Sequence, residues 1–385
     1  MKIEPFALER WLTAHELHVE YDIAESGILP LSIHDLLGWS PAAERDSILE
    51  RLLGLRLGYS EATGTLELRS LLAQTYEQCG PDNILVTTGA IEANFLLFNV
   101  LLKPGDHVVA PYPAYQQLYS VPRALGCDVS LWQVRDDGGF HFDLDDLASL
   151  IRPDTRLIVI NSPHNPTGAM LTPDELERVH GLAHNVGAMV LSDEAYRWLE
   201  VPGGSESPPP MADLGPAGIS VGTMSKPFGL PGLRIGWMAA PAEIVAACWS
   251  MRDYVSLSPG KLNDALAVLA FRHRDQIVQR NREIIAQNLA RANRWIAEHA
   301  GILSWSPPRG GLLALVRYHL DMPSLELADK LADEYSVMLA PGSVFGFEHH
   351  LRIGIGQEPS VFHAGLERAS ACLAGLLSDG RTLQG

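Results

Sequence analysis

The stretch Thr223–Gly236 contains a lysine and an arginine whose context and spacing suit catalysis. Lys226 follows an apolar, strand-like run in a Ser-Lys-Pro context, and Arg234 lies eight residues further along. Lysine is the side chain that forms Schiff bases with carbonyl cofactors. Arginine suits a phosphate because its planar guanidinium makes paired hydrogen bonds. The stretch therefore predicts a phosphate-bearing carbonyl cofactor bound to Lys226, and the alternative is an isolated surface lysine.

Polar side chains follow two other apolar runs. Asp193 ends an apolar strand in the sequence SDEAY, so its carboxylate is expected to be largely desolvated. A buried carboxylate needs a cationic partner, and a protonated pyridine nitrogen would serve, whereas helix capping is the alternative. Asn165 lies in an NPTG turn after another strand, and this turn can aim its side chain inward.

Three further segments suit the binding of anions or flat rings. Thr87–Ala90 links a strand to a helix, and helix N-termini bind phosphate, although an ordinary turn is the alternative. Ala110–Tyr115 offers aromatic rings at a strand end that could stack on a planar ligand, unless they are core or loop aromatics. Arg352 is flanked by apolar residues and needs either a substrate carboxylate or an internal ion pair.

The elements that position these residues follow a repeating pattern from about residue 84 onward. Short apolar runs alternate with amphipathic stretches such as Pro173–Asn185. This alternation predicts a mainly parallel sheet with helices on both faces. The predicted strands are Ile84–Thr88, Val108–Pro111, Val129–Val134, Leu157–Ser162 and Met189–Asp193.

The pattern changes after about residue 240 and predicts a smaller α+β domain at the C-terminus. Helices are predicted at Pro241–Tyr254 and Leu262–His299, and Gly203–Pro210 is a surface loop by composition. We predict an N-terminal segment, residues 1–45, that packs on both domains, a large domain at 46–270 and a small domain at 271–385. Short strands of the small domain are predicted at Leu312–Val316, Val337–Leu339 and Leu351–Ile355.

Composition excludes several classes of protein. The chain has 385 residues, 46% of them hydrophobic, and a formal net charge of −17 without a basic run, which argues against nucleic-acid binding. Its four cysteines form no CxxC pair and no cluster at zinc spacing, so we expect no metal site and a reduced compartment. No signal peptide or membrane segment is visible, so a cytoplasmic location is expected.

Taken together, these motifs resemble the fold-type-I enzymes that depend on pyridoxal 5′-phosphate (PLP), in the aminotransferase class I/II family, over about residues 50–360. The resemblance implies the α/β PLP-transferase fold type I, with a mostly parallel central sheet and a smaller α+β C-terminal domain. It also implies that Lys226 forms the Schiff base with PLP and shuttles protons. Asp193 is implied to pair with the pyridine nitrogen, and Tyr196 and Asn165 to hydrogen-bond the ring hydroxyl.

The same resemblance implies the remaining cofactor contacts. Tyr115 matches the ring-stacking aromatic because it lies nine residues past Asp106, and Tyr112 is its rival. Tyr59 matches a tyrosine that reaches the phosphate of the neighbouring subunit, which implies a homodimer with shared active sites. Arg352 matches the arginine that binds the substrate α-carboxylate. The residues expected around the phosphate are Gly89, Ala90, Thr223, Ser225 and Arg234.

Some short sequence segments resemble those of a subfamily that includes capreomycidine synthase, which acts on arginine derivatives and cyclises a hydroxylated arginine. These segments are DIAESGILPLS, RDYVSLSPGKL, PPRGGLLAL and APGSVFG. The SDEAY motif, with Tyr196, is instead that of a standard aminotransferase. We therefore predict transamination of a small amino acid through Lys226. The alternative is a PLP-dependent cyclase or lyase, acting by elimination and replacement on an arginine derivative.

Substrate specificity is expected from the N-terminal segment, which in this family closes over the substrate. Glu25, Ser26 and Gly27 lie there, with Glu25 and Gly27 predicted to contact the substrate. Glu25 is suited to a cationic side chain such as guanidinium, and a helix cap or surface charge is the alternative. A PLP-sensing transcription regulator is not expected, because the roughly 45 residues before the fold are not basic. An inactive homologue is expected to lose Lys226 or Asp193, and both are present.

Overall fold

The computed structural model describes residues 2–201 and 207–378, which fold around a central eight-stranded sheet. The α-helices are α1 Ala7–His15, α2 Ile33–Trp39, α3 Ala42–Leu53, α4 Leu66–Ala73, α5 Ala90–Leu101, α6 Gln117–Ala124, α7 Leu144–Leu150, α8 Pro173–Val186, α9 Ala242–Arg252, α10 Lys261–Arg272, α11 Arg274–Glu298, α12 Ser324–Tyr335 and α13 Pro359–Ser378. The strands are β1 Tyr21–Asp22, β2 Ile84–Thr87, β3 His107–Tyr112, β4 Asp128–Asp136, β5 Phe140–Phe142, β6 Thr155–Asn161, β7 Met189–Asp193, β8 Gly218–Thr223, β9 Gly236–Ala239, β10 Leu303–Trp305, β11 Leu313–Tyr318, β12 Val337–Met338, β13 Ala340–Pro341 and β14 His350–Gly354.

The central sheet has the strand order β2-β9-β8-β7-β6-β3-β4-β5. Strands β4, β3, β6, β7 and β8 pair in parallel, whereas β9 runs antiparallel to both β2 and β8, and β5 runs antiparallel to β4. The prediction of a mostly parallel sheet is therefore confirmed. Asn161 pairs with Asp193 in the register of β6 and β7, so both polar residues end their strands at the same edge. Ligands of such sheets bind at the carboxyl ends of the strands.

The sequences of strand β6 and helix α8 explain the burial of the strand and the two ends of the helix. Strand β6 is buried at all but one position, as expected for a strand covered on both faces. Helix α8 begins with a capping box between Thr172 and Glu175, places Pro173 in its first turn and is followed by the C-cap residue Gly187, with φ 71°. The helix predicted at Pro173–Asn185 ends one residue later than predicted, at Val186.

The C-terminal part contains a four-stranded sheet in the order β10-β11-β14-β13, packed with helices α11, α12 and α13. Strand β1 of the N-terminal segment pairs in parallel with β12, and Leu8 and Trp11 of α1 belong to the same hydrophobic core. Phe6, just before α1, instead contacts Tyr115 near the central sheet. The N-terminal segment thus contacts both parts, while the predicted boundaries at 45 and 270 stay predictions.

One local prediction, that of the long C-terminal helix, differs from the structure. The long helix expected at Leu262–His299 is divided at His273, whose backbone leaves the helical region at φ −110° and ψ 21° and whose ring lies 3.1 Å from Ser40 Oγ. The N-terminal segment contains helices α1, α2 and the start of α3 despite its weak periodicity. Of the predicted loop Gly203–Pro210, residues 207–210 have no regular structure and the rest lies outside the described residues.

Candidate active site

A cavity of about 460 Å³ lies at the carboxyl edge of the central sheet. The N-terminal turn of α5 forms one wall, and the segment after β8 forms another. Helix α1 contributes Glu9 and Arg10 at the mouth. The cavity brings together nine residues that the sequence predicts to be functional: Ala90, Tyr115, Asn165, Asp193, Tyr196, Thr223, Ser225, Lys226 and Arg234.

Lys226 occupies the centre of this cavity, three residues after the end of β8. Its Nζ donates a hydrogen bond to Ser26 Oγ over 2.9 Å. Burial lowers the pKa of Lys226 from 10.5 to about 8, and Arg352 and Arg234 act in the same direction, whereas Glu25 and Glu9 oppose it. Roughly a tenth to a fifth of this amine is therefore neutral near physiological pH, far more than for an ordinary lysine, and the neutral form is the one that a nucleophile or a general base requires.

Asp193 is 5% exposed at the end of β7 and faces the cavity. Its Oδ2 accepts a hydrogen bond from Asn94 Nδ2 over 2.9 Å, and its Oδ1 accepts one from the backbone N–H of Ala195 over 3.1 Å. Burial raises the pKa of Asp193, and these two hydrogen bonds only partly oppose it. A protonated pyridine nitrogen in the cavity would supply the cation that this carboxylate lacks.

The turn between β2 and α5 fits a phosphate. Gly89 has φ 80° and precedes the first residue of α5, so the backbone N–H groups of the helix start face the cavity end. A Cβ at Gly89 would lie 2.7 Å from Arg234 Nη2, which places the guanidinium against this turn. Thr223 and Ser225 add hydroxyl groups from the other side, with the two oxygens 3.1 Å apart.

The structure places Tyr115 and Tyr112 in different surroundings. Tyr115 lines the cavity, where its ring lies 4.8 Å from that of Phe6, and burial raises its pKa. The ring of Tyr112 instead packs edge-on at 5.6 Å from that of Tyr119, outside the cavity lining. Of these rivals, Tyr115 has the placement that stacking on a bound ring requires.

Arg352 is 0% exposed, contacts Asn165 and is not among the residues that line the cavity. Its Nη1 donates to Asn165 Oδ1 over 3.2 Å, and its Nη2 donates to the carbonyl oxygen of Ala24 over 2.7 Å. Its Nε is buried without a hydrogen-bond partner among the described residues. An internal carboxylate does not pair with it at ion-pair distance within residues 2–201 and 207–378, so a donor remains for a substrate carboxylate.

Other predicted residues lie beside the cavity or away from it. Glu25 is half-buried, and its Oε2 accepts a hydrogen bond from Gln357 Nε2 over 3.1 Å. Gly27 is buried in the same loop and does not line the cavity. Tyr59 is 83% exposed and does not line the cavity of its own chain. Its role toward a neighbouring subunit stays a prediction.

Sequence reasoning missed Asn94 and Glu9 in this site and predicted no contact for Ser26. Asn94 lies one helical turn after Ala90, and this spacing of four places both on one face of α5, a signal that was available. Ser26 is adjacent to residues predicted to contact substrate, but nothing local indicates its contact with Lys226. Glu9 reaches the cavity because α1 packs across its mouth, a tertiary arrangement that the sequence pattern does not reveal.

The described ranges show neither a metal-binding cluster nor a membrane-spanning helix. Residues 2–201 and 207–378 contain no group of three or more His, Cys, Asp or Glu side chains able to hold a metal ion. In the same ranges, no helix has the length and apolarity needed to cross a bilayer.

Comparison with known sequences assigns the chain to one enzyme family. The model of the family described as aminotransferase class I and II matches residues 29–368. The chain is 34% identical to capreomycidine synthase of Streptomyces vinaceus over 367 residues, covering 94% of this chain and 92% of that protein. It is 28% identical to the arginine–pyruvate transaminase AruH of Pseudomonas aeruginosa, covering 91% of each.

Solved structures agree with this result. A PLP-dependent aminotransferase from Streptococcus suis has a TM-score of 0.92 and 36% identity, with 97% of this chain and 99% of that chain covered. The PLP-dependent cyclase OrfR has a TM-score of 0.88 and 32% identity, with 97% and 98% covered. An aspartate aminotransferase from Thermus thermophilus, at 23% identity and a TM-score of 0.83 over 97% of each chain, shares the fold.

Proposed function

The chain belongs to the aminotransferase class I and II family and is a PLP-dependent enzyme, and from this premise we propose that it acts on arginine or an arginine derivative. The reaction proposed is removal of the Cα proton by Lys226, loss of a side-chain group and closure of a ring. Transamination, the outcome that the sequence favoured, is the second candidate. The single observation that carries the substrate class is a pair of carboxylates, Glu9 in the lining of the cavity and Glu25 next to Ser26, which also lines it.

The residues of the cavity suit each part of the cofactor. We assign the phosphate to the turn at Gly89 and Ala90 together with Thr223, Ser225 and Arg234. Asp193 would pair with the ring nitrogen and Tyr115 would stack on the ring, while Tyr196 and Asn165 would bind its hydroxyl. When bound, PLP supplies an electron sink for the pair of electrons that remains when a proton leaves Cα.

Lys226 and Arg352 are proposed to orient and deprotonate the substrate. Arg352 would bind the α-carboxylate, since its buried guanidinium keeps an unpaired Nε and its planar fork suits a carboxylate. This contact fixes Cα relative to Lys226. The lowered pKa of Lys226 supplies the neutral amine that removes the proton.

Glu9 and Glu25 are both half-buried, and the negative charge of each opposes the lowering of the pKa of Lys226 and of Arg352 that burial causes. Glu9 lines the cavity and makes no ion pair within 4 Å among the described residues. Arg10 also lines the cavity, but it is exposed and makes no ion pair with Glu9 within 4 Å. Once a substrate carboxylate binds Arg352, a guanidinium side chain would supply a cation to these two carboxylates, because complementary charge is favoured where water is partly excluded.

The outcome after proton removal is supported by the relatives rather than by the catalytic residues. The relatives named capreomycidine synthase and PLP-dependent cyclase match almost the whole chain at 34% and 32% identity. These similarities favour cyclisation. The arginine–pyruvate transaminase and the Streptococcus suis aminotransferase favour the second candidate.

The substrate class is tested with arginine and citrulline, which differ by a cationic guanidinium and a neutral urea of similar shape. We expect the wild type to bind and deprotonate arginine or hydroxyarginine and to discriminate against citrulline. Glu9→Gln and Glu25→Gln should each lower kcat/KM for the cationic substrate about 10–100-fold and leave the value for citrulline unchanged. Glu16→Gln is the control, since Glu16 is exposed beyond the end of α1. Equal use of both compounds by the wild type would contradict the proposal.

The outcome of the reaction is tested by product analysis with arginine and with its 3-hydroxy derivative. An amino acid product that has lost water, with PLP unchanged, supports cyclisation. A keto acid formed in equal amount with pyridoxamine phosphate supports transamination instead. Mass spectrometry of substrate and cofactor in one reaction mixture distinguishes these results.

A homodimer with shared active sites and a cytoplasmic location are also proposed. Exposed apolar side chains support the dimer, since Tyr59 is 83%, Tyr254 92%, Val255 53% and Leu257 43% exposed in one chain. Val255 and Ile91 line a common apolar surface cavity beside α5. A second copy would cover this face.

A further inference from the structure

Ser26 contacts the reactive nitrogen of Lys226. Its Oγ accepts a hydrogen bond from Lys226 Nζ over 2.9 Å, and the residue lines the catalytic cavity. Burial raises the pKa of the Tyr196 phenol to about 12, and Arg352 and the neighbouring Ser26 hydroxyl partly oppose this rise. The Ser26 hydroxyl therefore has both the amine of Lys226 and the phenol of Tyr196 as neighbours.

The loop that carries Ser26 is held on both sides. Asp22 Oδ1 accepts the backbone N–H groups of Ala24 and Glu25 over 2.9 and 3.0 Å. The carbonyl oxygen of Ala24 accepts from Arg352 Nη2, and the N–H of Leu29 donates to the carbonyl oxygen of Gly356 over 2.7 Å. These contacts fix the backbone around Ser26, so the place of its hydroxyl does not depend on Lys226 alone.

We propose that Ser26 is a further catalytic residue, which relays protons between Lys226 and an oxygen that leaves as water. The relay rests on the proposed function where the oxygen belongs to the substrate. Ser26 suits this task because a hydroxyl accepts one proton while it donates another. It approaches Lys226 from the N-terminal loop, next to Glu25, the residue proposed to bind the distal end of the substrate.

The relay conserves atoms and electrons for an arginine derivative with a hydroxyl on Cβ. Lys226 Nζ takes the Cα proton, so the C–H bond breaks and an N–H bond forms. The electron pair left on Cα forms the Cα–Cβ double bond as the Cβ–O bond breaks, and the oxygen keeps that bond's pair. Ser26 gives its hydroxyl proton to this oxygen and receives one from the Lys226 ammonium. One water is released, and both side chains return to their starting forms.

The same relay applies when Lys226 itself condenses with the aldehyde of PLP. PLP would supply an aldehyde, whose oxygen would be released as water with the two protons that the neutral Lys226 amine gives up as a C=N bond replaces the C=O bond. Ser26, hydrogen-bonded to Nζ, would pass one of these protons to that oxygen. This event requires no substrate, so it tests Ser26 separately from the proposed function.

The experiment compares Ser26→Ala with Ser26→Thr, which keeps a hydroxyl. Apoenzyme is mixed with PLP in a stopped-flow instrument, and the rate of capture is measured apart from the equilibrium Kd. We expect Ser26→Ala to capture PLP about 10–100-fold more slowly, and Ser26→Thr within a few-fold of wild type. Circular dichroism and the equilibrium Kd show whether each variant is folded with an intact cofactor site. If Ser26→Ala is not folded, Ser26→Cys replaces it as the variant with a poorer relay group.

A second measurement follows the substrate in heavy water. In Ser26→Ala, Lys226 still removes the Cα proton, but its onward transfer is slow, so deuterated substrate should return. The ratio of Cα exchange to water loss is expected to rise about tenfold or more with 3-hydroxyarginine, and Ser26→Thr should restore it.

The outcomes separate the two proposals. Slow capture of PLP in Ser26→Ala, without water loss from an arginine derivative in any variant, supports the relay and overturns the cyclase proposal. Capture at the wild-type rate with an unchanged exchange ratio overturns the relay and leaves the proposed function standing. An equal fall in the rate of PLP capture in Ser26→Ala and Ser26→Thr would mean that Ser26 only packs the loop, and would also overturn the relay.

Discussion

Asn94 Nδ2 donates a hydrogen bond to Asp193 Oδ2 over 2.9 Å, which joins the first turns of α5 to the end of β7. The other carboxylate oxygen accepts the backbone N–H of Ala195. Asn94 Oδ1 is buried without a hydrogen-bond partner among the described residues. The carboxylate is thus oriented by two neutral donors and still lacks a cation, which is the arrangement that a protonated ring nitrogen completes.

We expect Asp193→Asn to lower the turnover number about 10²–10⁴-fold and to weaken PLP binding, because the amide keeps the shape but removes the charge. Asn94→Ala should lower the turnover number much less, about tenfold, since it leaves the carboxylate charge in place. Titration of apoenzyme with PLP and initial rates with the best substrate provide the measurements. An Asp193→Asn variant with wild-type affinity and rate would exclude the ring-nitrogen assignment.

Lys226 should give the apoenzyme a pH dependence that an ordinary lysine cannot give. Its pKa is lowered to about 8, so the neutral, nucleophilic fraction grows as pH rises through 8 instead of 10.5. The rate of PLP capture should therefore rise tenfold per pH unit below about 7 and level off above about 9. A capture rate that keeps rising to pH 10 would show that Lys226 is not desolvated. Lys226→Ala serves as the control, since it should show no covalent capture at any pH.

The sequence was sufficient for the central sheet and for most of the cavity. Asp193, Asn165 and Lys226 each follow a short apolar run, and parallel pairing brings the ends of such runs to one edge. The local sequence patterns were therefore enough to predict that these three residues lie at one edge of the sheet. Glu9 and Ser26 could not be found in this way, because Ser26 is 200 residues away from Lys226 in the chain and Glu9 is further away still.

The division of the long predicted helix at His273 has the same kind of cause. The residues on both sides have continuous helical periodicity, so the pattern predicts one helix. The break follows from packing, since α10 lies against α4 and α2 while α11 packs on α13 in the C-terminal part. Such a change of direction depends on the position of other elements, which the periodicity of one segment does not encode.

Tyr59 should act on the active site of the partner subunit. Tyr59→Ala and Lys226→Ala are each expected to be nearly inactive, for lack of a phosphate contact and of the reactive amine respectively. Mixed under exchange conditions, they should form hybrid dimers in which one site has both residues, and activity should recover to about a quarter of wild type. Recovery requires shared sites, so a mixture that stays inactive while hybrids are detected by native mass spectrometry would refute the sharing.

Gly236 offers a direct test of the turn assigned to the phosphate. It pairs with Thr87 in one neighbouring strand and with Thr223 in the other, and an added Cβ would lie 2.4 Å from the backbone nitrogen of Ala90. Those atoms belong to the backbone at the start of α5, so they cannot rotate away as a side chain would. The methyl group of Gly236→Ala must displace the helix start itself.

We expect Gly236→Ala to lower the free energy of unfolding by about 1–3 kcal/mol, as overpacking of a rigid site does. It should also weaken PLP binding at least tenfold. Gly232→Ala is the matched control, because a Cβ there has no heavy atom within 4 Å, and its stability should stay within about 0.5 kcal/mol of wild type. Urea unfolding and PLP titration measure both effects. A Gly236→Ala variant that loses stability but keeps full affinity for PLP would show that the start of α5 does not hold the phosphate, because the displaced backbone is the proposed binding surface.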